Sequence, residues 1–130
     1  MSYPQSLAGQ RIVVTGGAGF VGSNVVRKLL IEKARVVVLD DFYTGDDNNL
    51  PADKTNLDVV RGSVTDFDLV RDVVKNANLV FHLAARNIIV STRNPREDYE
   101  VNIGGTLNVL LTVWIRYFRI ASGKISSSVP

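Results

Sequence analysis

The chain has 130 residues, 15 basic and 13 acidic side chains and a formal net charge of +2, enough for one domain with its own core. With no cysteine and one histidine it excludes disulfides, thiolate metal sites and imidazole clusters, so no metal is assigned. Arg116, Arg119 and Lys124 lie beyond the last acid, Glu100, so residues 1–115 carry 12 basic and 13 acidic groups, which is no electrostatic footprint for nucleic acid.

Met1 to Gln10 is a polar lead-in without the basic and apolar regions of a secretory signal. Arg11 to Thr15 is a β-branched run, predicted as a first strand. It runs into Gly16-Gly17-Ala18-Gly19-Phe20-Val21-Gly22, then into a helix whose Val21, Val25, Val26, Leu29 and Leu30 recur at helical spacing, with Ser23, Asn24, Arg27, Lys28 and Glu32 opposite. Glycines 17, 19 and 22 fit G-x-G-x-x-G, while Thr15, Gly16, Gly19 and Gly22 fit T-G-x-x-G-x-x-G. Both registers share Gly19 and Gly22, and the roles of Gly16 and Gly17 stay open. A glycine-dense turn between strand and helix lets a pyrophosphate reach the free N–H groups at the helix start, although a tight loop alone also takes glycine. A second strand, Arg35 to Leu39, ends in Asp40, 18 positions after Gly22, where a first βαβ unit places the acid that binds an adenosine ribose.

Asp41 to Asn49 is a turn-forming, acid-rich loop. Asp46 to Asn49 are read as a solvated connection, whereas Asp41 and Thr44 are placed to close over an adenosine. Leu57 to Val60 is a third strand, with Gly62-Ser63-Val64 at its carboxyl edge. Thr65-x-x-Asp68 resembles a capping box that opens a helix with Leu69, Val70, Val73 and Val74 inward and Asp68, Arg71, Asp72 and Lys75 outward. Leu79 to Leu83 is a fourth strand. Its His82 is expected to be structural and hydrogen-bonded, and Ala84 and Ala85 after it would let a flat ring approach, or are small only to admit a packed helix. Arg86 to Arg96 is predicted as a polar loop. Arg86, Arg93 and Arg96 are candidate phosphate contacts, although loop arginines are more often simply solvated. A last helix runs from Tyr99 to about Ile115, and Asn102, Gly104 and Gly105 inside it imply a close approach by the sheet or a ligand. The apolar stretch Val109 to Ile115 is too short to span a bilayer, so an intracellular, cytoplasmic protein without membrane contact is expected. Strands alternating with amphipathic helices predict an α/β fold, a Rossmann-type doubly wound parallel sheet of about four to five strands.

Four ordered motifs resemble one family. Thr15-Gly16-Gly17-Ala18-Gly19-Phe20-Val21-Gly22-Ser23, Asp40-Asp41-Phe42-Tyr43-Thr44-Gly45, Phe81-His82-Leu83-Ala84-Ala85 and Asn102-Ile103-Gly104-Gly105-Thr106-Leu107-Asn108 are similar to segments of the extended short-chain dehydrogenase/reductases, specifically the NAD-dependent sugar-nucleotide epimerases and dehydratases of the UDP-glucose 4-epimerase kind. The resemblance implies NAD as cofactor and a sugar nucleotide as partner of the full-length relative. It implies that Gly16, Gly19, Phe20, Val21 and Gly22 hold the pyrophosphate and Asp40 the ribose. Asp41, Thr44 and Gly45 would line the adenosine side, Ser63 and Val64 the adenine edge, and Leu83, Ala84 and Ala85 the path to the nicotinamide ribose, with Asn102 nearby. The family often has Asp where Ser63 stands, and its catalytic Tyr-x-x-x-Lys pair does not occur among tyrosines 3, 43, 99 and 117. Ser126-Ser127-Ser128 stands at about the distance of the family's catalytic serine, but its surroundings do not match, and no catalytic residue is assigned. Residues 1–130 are thus expected to form a truncated NAD-binding domain without a substrate domain, with residues 113–130 a divergent tail. The alternatives are a non-catalytic nucleotide-binding fragment or an NAD(P)-dependent reductase of the same fold. Apolar residues on nearly every face after Leu111 further predict self-association or a poorly docked tail.

Overall fold

The computed structural model describes residues 6–121 and 123. The expectations for the first five residues and for Ser126 to Ser128 lie outside the described residues. Four strands, β1 (Arg11–Thr15), β2 (Arg35–Asp40), β3 (Leu57–Arg61) and β4 (Leu79–His82), form one parallel sheet in the order β3-β2-β1-β4. Arg11 pairs with Arg35, Ile12 with Leu79 and Val36 with Leu57, so the carboxyl ends of all four strands gather at one edge.

Both faces of the sheet are covered because the strands carry apolar residues at odd and even positions alike. Ile12, Val14, Val36 and Val38 point to one face, where α1 (Phe20–Ile31) packs Val26 and Leu29 on them. Val13, Val37 and Leu39 point to the other, where α2 (Phe67–Val74) supplies Val70, Val73 and Val74. The chain runs outward from β1 to β2 and β3, then crosses back to β4 on the other side of β1. That reversal leaves a crevice at the carboxyl ends of β1 and β4, the place where open α/β sheets bind ligands.

Several local expectations need correction. In α1 the outward and inward faces exchange at the first turn: Val21 is exposed, whereas Ser23 is buried and donates its hydroxyl to the Phe20 carbonyl at 3.2 Å. The cap of α2 is Asp66, not Thr65, and its carboxylate accepts from the Leu69 N–H at 3.0 Å. Strand β4 ends at His82, one residue early: the Leu83 N–H is shared between the Thr15 carbonyl and hydroxyl, and the Ala84 N–H goes to the hydroxyl alone. Residues 86–96 are not simply a loop. Asn87 and Asn94 cap two short helices, α3 (Ile88–Arg93) and α4 (Pro95–Asp98), by accepting backbone N–H groups on their side-chain oxygens.

The last helix is also longer and less regular than its periodicity suggests. A π-helical segment, Tyr99–Gly105, leads into α5 (Thr106–Ala121), which packs against α2. Of α5, Val109 and Thr112 are buried, and Arg116 donates to the Ala77 carbonyl. Leu107, Leu110, Trp114, Tyr117 and Phe118 form an outward stripe with 53–62% of their surface exposed. Among the described residues, no helix is long and apolar enough to cross a membrane.

The paired glycines of the π-segment have different causes. A Cβ on Gly105 would overlap Val64 Cγ2 and lie 3.1 Å from Val64 Cβ, whereas one on Gly104 would meet only the Tyr99 carbonyl at 4.0 Å. Gly104→Ala is therefore expected to raise stability by about 0.5–1 kcal/mol, since alanine is the better helix former. Gly105→Ala is expected to lower it by about 1–3 kcal/mol through overpacking. Denaturant midpoints of the two variants check this, and equal shifts of the same sign would contradict it.

Candidate functional site

The crevice is an open cleft lined by Gly16 and Gly19 of the glycine turn, Leu39, Asp40, Asp41 and Thr44 of β2 and its loop, Gly62 and Val64 beyond β3, Ala84, Ala85 and Arg86 beyond β4, and Val101 of the π-segment. Of the residues singled out in the sequence, Gly16, Gly19, Asp40, Asp41, Thr44, Val64, Ala84 and Ala85 lie together in this lining. Phe20, Val21, Gly22, Gly45, Ser63, Leu83 and Asn102 do not line it.

The glycine turn is shaped by close contacts that leave no room for a side chain at Gly16, Gly17 or Gly22. Gly16 has φ +68°, and a Cβ there would lie 2.7 Å from the Ala84 nitrogen. A Cβ on Gly22 would overlap the Gly16 carbonyl oxygen, and one on Gly17 would sit 2.8 Å from Val38 Cγ1. The ambiguity between Gly16 and Gly17 is thereby resolved: Gly16 faces the cleft, and Gly17 packs on the sheet. Gly19 differs from both, since a Cβ there would meet nothing closer than the Gly16 oxygen at 3.4 Å. Gly19 is the N-cap of α1, and that helix start has neither a side-chain cap nor an acid in its first turn. An uncapped helix N-terminus at a cleft that a side chain at position 19 would intrude upon suits a bound anion.

Asp40 holds the turn to the next loop. It is 7% exposed, and its Oδ2 accepts from the Ala18 N–H at 2.9 Å while Oδ1 accepts from the Phe42 N–H at 2.8 Å. Each oxygen keeps acceptor capacity, as a ribose diol would require. Gly45 fits beneath, since its Cβ would fall 2.9 Å from Ala18 Cβ and 3.0 Å from Asp40 Oδ1. The acid-rich loop is exposed at Asp47 and Asn48 as expected. It is nevertheless fastened to the turn, because the Asp46 N–H (3.1 Å) and the Asn49 side-chain amide (2.8 Å) both donate to the Ala18 carbonyl.

Other proposed residues support the cleft from outside its lining. Phe20 and Val21 start α1 with exposed side chains. The Ser63 hydroxyl bonds to that of Thr65 at 2.8 Å and accepts the Thr65 N–H. Asn102 is spent on the backbone of Arg86, accepting its N–H at 2.7 Å and donating to its carbonyl at 3.1 Å. Leu39 and Val101 are lining residues that the sequence reading misses, though each stands directly beside one that it names, and Gly62, placed by the sequence at the carboxyl edge of β3 without a role, lines the cleft as well. For Arg86 the sequence suggests a phosphate contact or, as is commoner for a loop arginine, simple solvation, and the structure shows it in an ion pair. Its Nη2 donates to Asp41 Oδ2 at 2.6 Å and its Nε to Glu97 Oε1 at 2.8 Å, and its guanidinium lies 4.1 Å from the Tyr43 ring centroid.

His82 takes the structural role expected of it. Thr15 Oγ1 accepts the Leu83 and Ala84 N–H groups at 3.1 and 3.2 Å, which leaves its own proton for His82 Nδ1 at 2.7 Å. The imidazole then carries its proton on Nε2, facing Thr106 Oγ1 at 2.9 Å, and Thr106 donates onward to the Asn102 carbonyl at 2.6 Å. This chain of donors ties the glycine strand to the π-segment.

The fold defines the chain as a Rossmann-type α/β domain with an open cleft at the carboxyl edge of its parallel sheet. The model of the NAD dependent epimerase/dehydratase family matches residues 12–120, and the chain belongs to that family. UDP-glucuronic acid decarboxylase 1 of Arabidopsis thaliana is 40% identical over 101 residues, 77% of this chain and 22% of its own length. Among solved structures, epimerase Mth375 of Methanothermobacter thermautotrophicus superposes with a TM-score of 0.79 at 36% identity, over 84% of this chain and 33% of that one. The UDP-glucose 4-epimerase of Thermus thermophilus, solved with NAD, gives 0.70 at 37% identity, over 79% and 33%. The chain spans about a fifth to a third of the length of the curated relatives it matches.

Burial pushes the His82 imidazole below its ordinary value. A lowered folded value means that the unfolded chain binds the proton more readily, so this contribution is complete above about pH 6.5 and is lost as pH falls below it. Protonation would also put a hydrogen on Nδ1, where Thr15 already donates. His82 is the sole histidine. Melting temperature is thus expected to fall between pH 7 and 5.5, with a flatter slope in His82→Gln. Identical slopes in the two proteins would contradict the assignment.

Proposed function

We propose that this chain binds NAD(H) as the cofactor half of a sugar-nucleotide epimerase or dehydratase of the UDP-glucose 4-epimerase kind. The observation that carries the proposal is the uncapped start of α1, opening at Gly19 on a cleft whose other wall holds the buried Asp40 carboxylate. Gly16 and Gly19 would let the pyrophosphate reach the backbone, and Asp40 would accept from the adenosine ribose while repelling a 2′-phosphate, which favours NAD over NADP. Ala84 and Ala85 would leave space for the rest of the dinucleotide. Bound NAD supplies a hydride acceptor and donor for a sugar carbon. The residues of this chain contribute binding and orientation, for no Tyr-x-x-x-Lys pair stands in the 130-residue sequence to move the sugar proton.

Calorimetric titration tests the proposal. The chain is expected to bind NAD(H) more tightly than NADP(H), and Asp40→Ala to narrow that preference. Gly19→Val is expected to weaken NAD(H) binding by at least about tenfold, at a stability cost of about 1 kcal/mol from the poorer N-cap. Undiminished binding by Gly19→Val would show that the ligand does not use the turn.

We infer in addition that the exposed stripe of α5 favours self-association. Sedimentation is expected to show mass rising with concentration, and a monomer throughout would contradict this.

A further inference from the structure

Among the residues that line the cleft, Arg86 is the one cation, set against two acids, Asp40 and Asp41. Its guanidinium is nonetheless held on both sides, by Asp41 at the Nη edge and by Glu97 at Nε. Nη2 and Nη1 reach the two oxygens of Asp41 at 2.6 and 3.4 Å, and Nε reaches Glu97 at 2.8 Å. The Arg86 side chain is only 10% exposed, against 27% for Asp41 and 30% for Glu97. Asn102 grips the Arg86 backbone from both sides, and Asp41 is braced in turn by the Tyr43 N–H at 3.1 Å. An ion pair this sheltered is screened less than a surface pair, and its geometry is fixed at both ends.

From this arrangement, and resting on the NAD(H) reading above, we propose that the Asp41–Arg86–Glu97 ion triad sets cofactor choice by withholding the cleft's only cation from a 2′-phosphate. Asp40 supplies repulsion, but repulsion by one carboxylate is incomplete discrimination when an arginine lines the same cleft. Arginine is the side chain best suited to grip a phosphate in two-point fashion. The Nη edge needed for such a grip is the edge that Asp41 occupies, while Nε is held by Glu97. Removing the Asp41 charge would replace a two-oxygen ionic hold on the Nη edge by at most one neutral acceptor, which a phosphate can displace, and keep the guanidinium in place through Glu97 and the Tyr43 ring. Asp41 is therefore a specificity-determining residue that acts through Arg86, distinct from the direct role of Asp40.

The test is titration of the full 130-residue chain, its Asp41→Asn variant and the Asp41→Asn/Arg86→Met double variant with NAD+ and NADP+, accompanied by thermal melts. Asp41→Asn is expected to tighten NADP+ relative to NAD+ by about tenfold or more, the scale of a charge-assisted hydrogen bond. Added salt should erode that gain, and the double variant should abolish it. A merely structural clamp would weaken both cofactors together and leave their ratio unmoved, which would overturn the proposal. So would a gain that survives loss of Arg86, or unfolding of Asp41→Asn at ordinary temperature. Absence of NAD+ binding by the unaltered chain would overturn the cofactor reading itself, and this proposal with it. Binding of NAD+ with an unchanged ratio in Asp41→Asn overturns only the role given to the triad.

Discussion

The cleft depends on close packing of the glycine backbone at three places where a Cβ could not stand, two against other backbone and one against a side chain. Gly16 lies against Ala84, Gly22 lies against the Gly16 carbonyl, and Gly17 lies against Val38. These contacts draw the end of β1, the start of α1 and the chain beyond β4 into one corner. Everything that lines the crevice is positioned relative to that corner. Gly19 is the exception in the turn, since the space above it is the cleft and not protein.

Two hydrogen-bond hubs fix the walls around the corner. Thr15 gathers Leu83, Ala84 and His82 on one side, and through Thr106 reaches the π-segment. Asp40 gathers Ala18 and Phe42 on the other. Both hubs are buried, where an unmet hydrogen bond costs most, so their partners are held firmly. None of the described buried side-chain polar atoms lacks a partner. The family match over residues 12–120 is consistent with these hubs, since both lie within it.

The strands are legible in the sequence because their β-branched runs leave few alternatives, and the position of Asp40 follows from counting onward from the glycines. The three glycine roles are not legible, since sequence shows spacing but not which atom each absent Cβ would strike. Periodicity misplaces Ser23 because it takes no account of a small residue whose hydroxyl is satisfied by the preceding turn, at the Phe20 carbonyl. The helices α3 and α4 are too short to show a 3.6-residue period, although Asn87 and Asn94-Pro95 carry the signal of their caps. Arg86 is least legible of all, because its partner Asp41 lies 45 residues earlier and only the sheet order brings the two together.

The central claim is that a dinucleotide occupies the corner between the glycine turn and Asp40. Backbone amide chemical shifts followed during titration with NAD+ test it most directly. The account predicts saturable shifts concentrated at Gly16 to Gly22, Asp40 to Thr44 and Ala84 to Arg86, with the outward stripe of α5 unmoved. Shifts confined to other surfaces, or none at saturating NAD+, would contradict it.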